Sequence, residues 1–198
     1  NVFAAEEFSV NPLSWCYPVA GCVSYRGYFK EQAARGKADK LKTEGYEVYV
    51  GGVTAYSTLG WFSDPVLNTV INRDSQHLAS LLFHELAHQV VYASGDTIFN
   101  ESFATSVEQE GLRRWIKANY SGVDSAALLN VTSDELLRSE QFVALVQAAV
   151  VDLQEIYDSE LETESKRSQK QQRLLMLREQ YQAQKQLWNG YSAYDGWF

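Results

Sequence analysis

His84, Glu85 and His88 stand within an apolar run, Leu81-Leu82-Phe83-His84-Glu85-Leu86-Ala87-His88. In an α-helix, residues four apart lie one turn along the axis and about 40° around it, so two imidazoles at that spacing can converge on one point. Glu85 stands at the edge of that point. Two neutral nitrogen donors beside a free carboxylate suit a hydrolytic zinc centre, in which the histidines hold the ion and the acid takes a proton from its water. The structural alternative is a pair of hydrogen-bonded core histidines. His77 shares the same face, but seven residues at about 1.5 Å rise put it about 10 Å from His84, too far for an ion bound at about 2 Å. It is read as structural.

A catalytic zinc takes a third protein ligand and keeps one open position. The next segment, Asp96-Thr97-Ile98-Phe99-Asn100-Glu101-Ser102-Phe103-Ala104, offers Glu101. On a helix, Glu101, Thr105, Glu108 and Leu112 share one side, while Phe99, Phe103 and Val107 form an apolar stripe. Glu101 is the candidate ligand; its alternative is a first-turn acid favoured by the helix dipole. Glu108 and Glu110 read as a solvated face, with Glu108 next in line as a ligand should Glu101 not serve.

These residues must be positioned by helices. Asp74 or Ser75 can cap the first, the pattern from Leu78 to Tyr92 has no breaker, and Gly95 stands where a helix would end. Its apolar residues spread around most of the circumference, which predicts a buried helix. Asp96 or Thr97 can cap a second helix running to about Lys117. Upstream, Lys30 to Glu44 reads as a charged surface helix ending at Gly45. Tyr46 to Val50 alternates as a strand, followed by Gly51-Gly52 and a second β-rich run, Val53 to Thr58. This is either an ordinary hairpin or an edge strand whose glycines let a peptide backbone pair with it. Trp61 to Pro65 reads as a turn.

Past Tyr120 the composition changes. Ser121-Gly122 breaks the pattern, and Thr132-x-x-Glu135 is a capping box that predicts a helix from there to about Glu162. Glu164 to Leu187 predicts another, so that the two form an antiparallel hairpin. The charge run from Glu160 to Lys170 reads as a solvated face or as the connection. The tail from Tyr191 to Phe198 is too aromatic for a free end and should pack on the core or continue into further sequence.

With 198 residues, 45% hydrophobic and 13% aromatic, the chain is long enough to bury a sizeable core and is not of disordered composition. A net charge of −8 argues against a nucleic-acid partner, which requires a basic face. No apolar run is long enough to span a bilayer. Asn1-Val2-Phe3 carries no start methionine, so a processed or excised piece is expected. Cys16 and Cys22 can close a small disulfide loop, as suits an oxidising compartment, or stand as reduced thiols.

His84-Glu85-Leu86-Ala87-His88 followed by Asn100-Glu101-x-x-Ala104 resembles the gluzincin metallopeptidases. The longer run from His84 to Trp115, together with Trp15 to Phe29 and Tyr46 to Thr69, is similar to a bacterial family of predicted zinc aminopeptidases. The resemblance covers about residues 1 to 120 well and the rest loosely. It implies an α+β, mainly helical fold: a zincin-like catalytic core at 1–120, with a small sheet before the His84 helix, and a C-terminal helical hairpin at 121–198 packing on it. It implies His84, His88 and Glu101 as ligands of Zn²⁺, Glu85 as general base, and a peptide substrate shortened from its N-terminus. Twelve residues separate His88 from Glu101, fewer than in the best-known gluzincins, and a short turn between antiparallel helices would still return Glu101 to the histidines. A downstream Tyr is expected to stabilise the oxyanion, with Tyr191 and Tyr194 as candidates. The resemblance also favours export, hence a Cys16–Cys22 disulfide, a periplasmic or cell-envelope location, a lipid anchor on a missing N-terminal part and a truncated C-terminus. Two other readings stay open: an endopeptidase, or a zinc-stabilised binding or assembly module whose working surface is the hairpin.

Overall fold

The computed structural model of the chain describes residues 1–17, 21–52 and 74–198. The second β-rich run at 53–58 and the turn at 61–65 lie outside the described residues. The fold is mainly helical with small strands. Contacts divide it into two units, Asn1–Ala4 with Pro12–Leu129, and Ala5–Asn11 with Asn130–Phe198. Among the described residues, no helix is long and apolar enough to cross a membrane.

In the first unit, β1 (Val2–Ala5) buries alternate residues, as a half-covered strand should. Val2 and Ala4 meet Ala34, Ala38 and Leu41, which share one face of α1 (Glu31–Thr43), the helix that the sequence places at 30 to 44. β1 is also hydrogen-bonded beside β4 (Glu47–Val50), the strand legible at 46 to 50. Between β1 and α1, β2 (Trp15–Tyr17) and β3 (Gly21–Val23) form an antiparallel hairpin in which Cys16 faces Cys22. The two cysteines are joined as a disulfide.

Two further helices of this unit position the candidate site. Asp74 caps α2 (Ser75–Val90) by accepting from the His77 backbone N–H at 2.9 Å, and its other oxygen holds the His77 ring at 2.7 Å. His77 therefore belongs to the cap. The helix stops at Val90, two residues short of Tyr92, where the β-branched pair Val90-Val91 favours the extended backbone that Val91 adopts. Nor is α2 buried all round: among the described residues, one partner helix covers one of its faces and leaves Leu82, Leu86 and Val90 exposed. That partner is α3 (Thr97–Asn119), capped by Asp96. The two run antiparallel. Gly111 lets them approach closely, since a Cβ there would stand 2.6 Å from the Phe83 ring. Ala79, Leu112 and Ile116 form the core between them.

The next helix, α4 (Gly122–Asp158), begins in the first unit and continues into the second. It starts ten residues before the capping box at Thr132, which is mid-helix. The stretch Val123 to Leu129 contains no breaker, and Leu128 and Leu129 pack on the Leu112–Ile116 core, so burial extends the helix past a local start signal. Its partner α5 (Thr163–Leu187) runs antiparallel to it: Lys166 Nζ reaches the Tyr157 carbonyl, Arg173 pairs with Asp152, and Trp188 Nε1 donates to Gln141. The core of this hairpin is aromatic, with Phe142, Tyr181 and Trp188 buried. The C-terminal tail folds onto it. Tyr194 stacks on Phe142 at 4.0 Å, and Phe198 on Tyr181 at 4.8 Å. The Tyr181 hydroxyl donates to Asp195, which Lys185 also binds.

The charge run from Glu160 to Lys170 is not merely solvated. Lys170 is buried, its ammonium donating to the Glu7 carbonyl at 2.6 Å, and Arg167 grips the Glu7 carboxylate. Phe8 lies edge-on to Tyr157 beside them. Lysine can do this because its long apolar stem covers the rings while its head reaches a polar partner.

Candidate metal centre

The chain reverses between α2 and α3 in six residues, and Asn100 fixes the turn. Its side-chain oxygen accepts from the Ala93 N–H at 2.7 Å and its amide donates to the Ala93 carbonyl at 2.8 Å. Asn100 is only 2% exposed, so these bonds satisfy a buried amide and lock the first turn of α3 against the end of α2. Gly95, at φ +82°, supplies the left-handed residue within the turn. The β2–β3 hairpin packs directly on it: a Cβ at Gly21 would lie 2.9 Å from the Gly95 nitrogen.

This turn delivers Glu101 to the histidines. His84 Nε2 lies 3.3 Å from one Glu101 oxygen, His88 Nε2 lies 3.8 Å from the other, and the two Nε2 atoms are 3.3 Å apart. Among the described residues these three form the one such cluster that could hold a metal ion. The spacing suits a single small cation. Donors on a tetrahedral ion at about 2.0–2.1 Å stand about 3.3–3.4 Å from one another. Two imidazoles and a carboxylate also match the borderline ligand set of zinc, and three donors leave a tetrahedral ion one further position. Glu85 is not in the cluster. It is half-buried one residue beyond His84, and its charge acts on both His84 and Tyr25.

Glu108 turns out differently from its reading as a solvated acid. It is half-buried, accepting from the Ser80 hydroxyl at 2.5 Å and standing 3.0 Å from His84 Nδ1. Burial alone would raise its pKa, but the bonds from His84 and Ser80 outweigh this and hold the carboxyl below its ordinary range. An ionised carboxylate only accepts, so His84 Nδ1 carries a proton, which in the neutral ring leaves the Nε2 lone pair for the cluster. The same bond to Glu108 raises the His84 pKa against the opposing effect of burial, helped by the charges of Glu101 and Glu85. His88 is held otherwise: it is 9% exposed, and its buried Nδ1 has no hydrogen-bond partner among the described residues. Glu110, by contrast, is a surface acid, with Arg113 and Arg114 holding its pKa down at about 2.

The signal for Glu108 was present in the spacing. Ser80, His84 and His88 follow each other at four residues on α2, and Glu101 and Glu108 are two turns apart on α3, so the two stripes face each other once the helices pair. Asn100, too, was visible only as a neighbour of Glu101. Tyr191 and Tyr194 belong to the aromatic cluster of the second unit, Tyr191 beneath the Arg138 guanidinium at 4.7 Å. In the first unit, Tyr25 has its phenol pKa raised by burial first, then by the charge of Glu101, Tyr92, Tyr17 and Glu85. It is therefore a hydroxyl within the field of the centre that the sequence did not single out.

A family model described as "Putative aminopeptidase" matches residues 1–198, the whole of the chain. No curated protein and no solved structure matches it.

Proposed function

The chain belongs to the family described as "Putative aminopeptidase", and from that premise we propose that it is a zinc-dependent aminopeptidase that removes N-terminal residues from peptides. The observation that carries the metal reading is the convergence of His84, His88 and Glu101 at 3.3–3.8 Å, with Glu85 beside them but outside the donor set. The chemistry belongs to a zincin-like core within residues 1–120. His84 Nε2, His88 Nε2 and a Glu101 oxygen would hold Zn²⁺, which when bound lowers the pKa of its water towards about 7 and polarises the scissile carbonyl.

The protein's own groups do the rest. Glu85 accepts a proton from the attacking water and passes it to the leaving amine. Glu108 holds the Nδ1 proton of His84, so the ring cannot turn or change tautomer. Asn100 keeps the Glu101 carboxylate at the end of α2, within reach of both imidazoles.

A mixed peptide pool, read by mass spectrometry with zinc-loaded protein, tests this. Wild type should shorten peptides stepwise from their N-termini. Glu85→Gln should bind zinc equally yet cut at least about 10²- to 10⁴-fold more slowly, the share usual for a general acid–base. Internal cuts dependent on Glu85 would make it an endopeptidase. A Glu85→Gln variant that binds zinc and keeps full activity would remove Glu85 from the mechanism. Zinc binding with no cutting by wild type would leave the zinc-stabilised binding module instead.

A further inference from the structure

The second unit contains a groove whose lining includes none of the residues of the candidate metal centre. It has a volume of about 670 Å³, within the usual span of about 300–1,000 Å³ for ligand sites. Val146, Val150 and Leu153 form one wall, on a single stripe of α4, and Leu174 and Leu175 form the other, on α5, with Trp197 at one end. Val150, Leu174, Leu175 and Trp197 remain exposed, although each is a residue that burial would favour.

Polar groups enter the α5 wall only as Gln171 and Arg178, seven residues and hence about 10 Å apart along the helix. Arg178 differs from the other arginines of this unit. Arg138 lies over Tyr191, Arg167 holds Glu7 and Glu164, and Arg173 binds Asp152. Among the described residues, Arg178 has no ion pair or hydrogen bond. A permanent cation thus stands unpaired at an apolar groove, in a chain whose net charge is −8.

The chemistry of the walls selects the occupant. An extended peptide would bring backbone N–H and C=O groups into a groove that offers them almost no partners, at a desolvation cost. A hydrocarbon chain brings none, and a carboxylate or phosphate at its end matches the guanidinium fork. We propose that this groove binds a single-chain amphiphile with an anionic head, its tail between α4 and α5 and its head on Arg178.

The full chain should be titrated with sodium decanoate, decyl phosphate and decanol below their aggregation concentrations. Tryptophan fluorescence and calorimetry would be read together, with Trp197→Phe identifying the reporting ring. Both anions should bind saturably at one per chain, and the tighter of the two identifies the head group. Decanol should bind about five- to tenfold more weakly, and Arg178→Gln should reduce the anions to the level of decanol. Leu175→Gln, at a site 60% exposed where folding is not at risk, should weaken all three. The proposal is overturned if neither anion saturates, if decanol binds as well as decanoate, or if Arg178→Gln binds the anions like wild type. A dimer that closes the groove to all three would overturn it as well.

Discussion

The helix pairs α2–α3 and α4–α5 are both antiparallel and both have apolar cores, yet they differ in what they set beside them. Between α2 and α3 lie Ser80, His84, His88, Asn100 and Glu108, polar groups that bond to one another or to the turn, while Leu82, Leu86 and Ile98 face outwards. Between α4 and α5 lie the rings of Phe142, Tyr181 and Trp188, sealed by the folded tail. The second arrangement is what burial of apolar area favours on its own. The first costs desolvation, which the mutual bonds of Ser80, His84 and Glu108 offset, while His88 keeps a buried Nδ1 with no hydrogen-bond partner among the described residues; the arrangement brings two imidazoles and a carboxylate together at one point. A pair of helices that sets clustered polar groups beside its apolar core marks a site, whereas a pair joined chiefly through packed rings marks a scaffold.

Substitutions can break that contrast. Phe142 is 3% exposed and touches Tyr181, Tyr194 and Trp197. Phe142→Ala should therefore destabilise the protein by about 3–5 kcal/mol in denaturant unfolding, with zinc affinity unchanged when measured under folding conditions. If zinc affinity fell in parallel, the division of labour between the pairs would be wrong. Glu108→Ala should do the reverse, weakening zinc binding about 10- to 100-fold in competition with a chelator, with a smaller effect on unfolding. Glu108→Gln should lie between, since its amide oxygen can still accept from His84. Equal zinc affinity in all three proteins would reduce Glu108 to a packing residue.

The smallest expected effect is a pH response confined to the scaffold. Burial, together with the bond to the Asp195 carboxylate, pushes the Tyr181 phenol up to about 12, from about 10 in the unfolded chain. A folded pKa above the unfolded one stabilises fully below the lower value and loses that contribution as pH rises through the higher. Stability should decline between about pH 10 and pH 12 as phenolate absorbance appears, and Tyr181→Phe should flatten that window. A decline of the same size in Tyr181→Phe would assign it to other groups.

Much of this arrangement is legible in the sequence. Asp74 or Ser75 marks the start of α2 and Asp96 or Thr97 that of α3, the four-residue histidine spacing gives the two rings a common face, and the short link between the helices implies that Glu101 returns to them. What escaped depended on how separate elements meet. The role of Glu108 follows from the relative phase of two helices, which no single periodicity contains. The early start of α4 follows from burial of Leu128 and Leu129, which overrode the capping signal at Thr132. Lys170 looked like surface because its partner, Glu7, is far away in sequence. The apolar face that α2 leaves exposed among the described residues differs from the buried helix expected, because apolar composition reports what can be buried, not how many partners a helix has.

The most direct test of the central claim is zinc affinity and stoichiometry in wild type, Glu101→Ala and Glu85→Gln, by chelator competition on protein first stripped of metal. One ion per chain is expected. Glu101→Ala should lose at least about 100-fold in affinity, more than removal of a supporting group such as Glu108 would cost, while Glu85→Gln binds as wild type does. If Glu101→Ala held zinc as tightly as wild type, the convergence of His84, His88 and Glu101 would not be a metal centre, and the contrast between the two helix pairs would need another explanation.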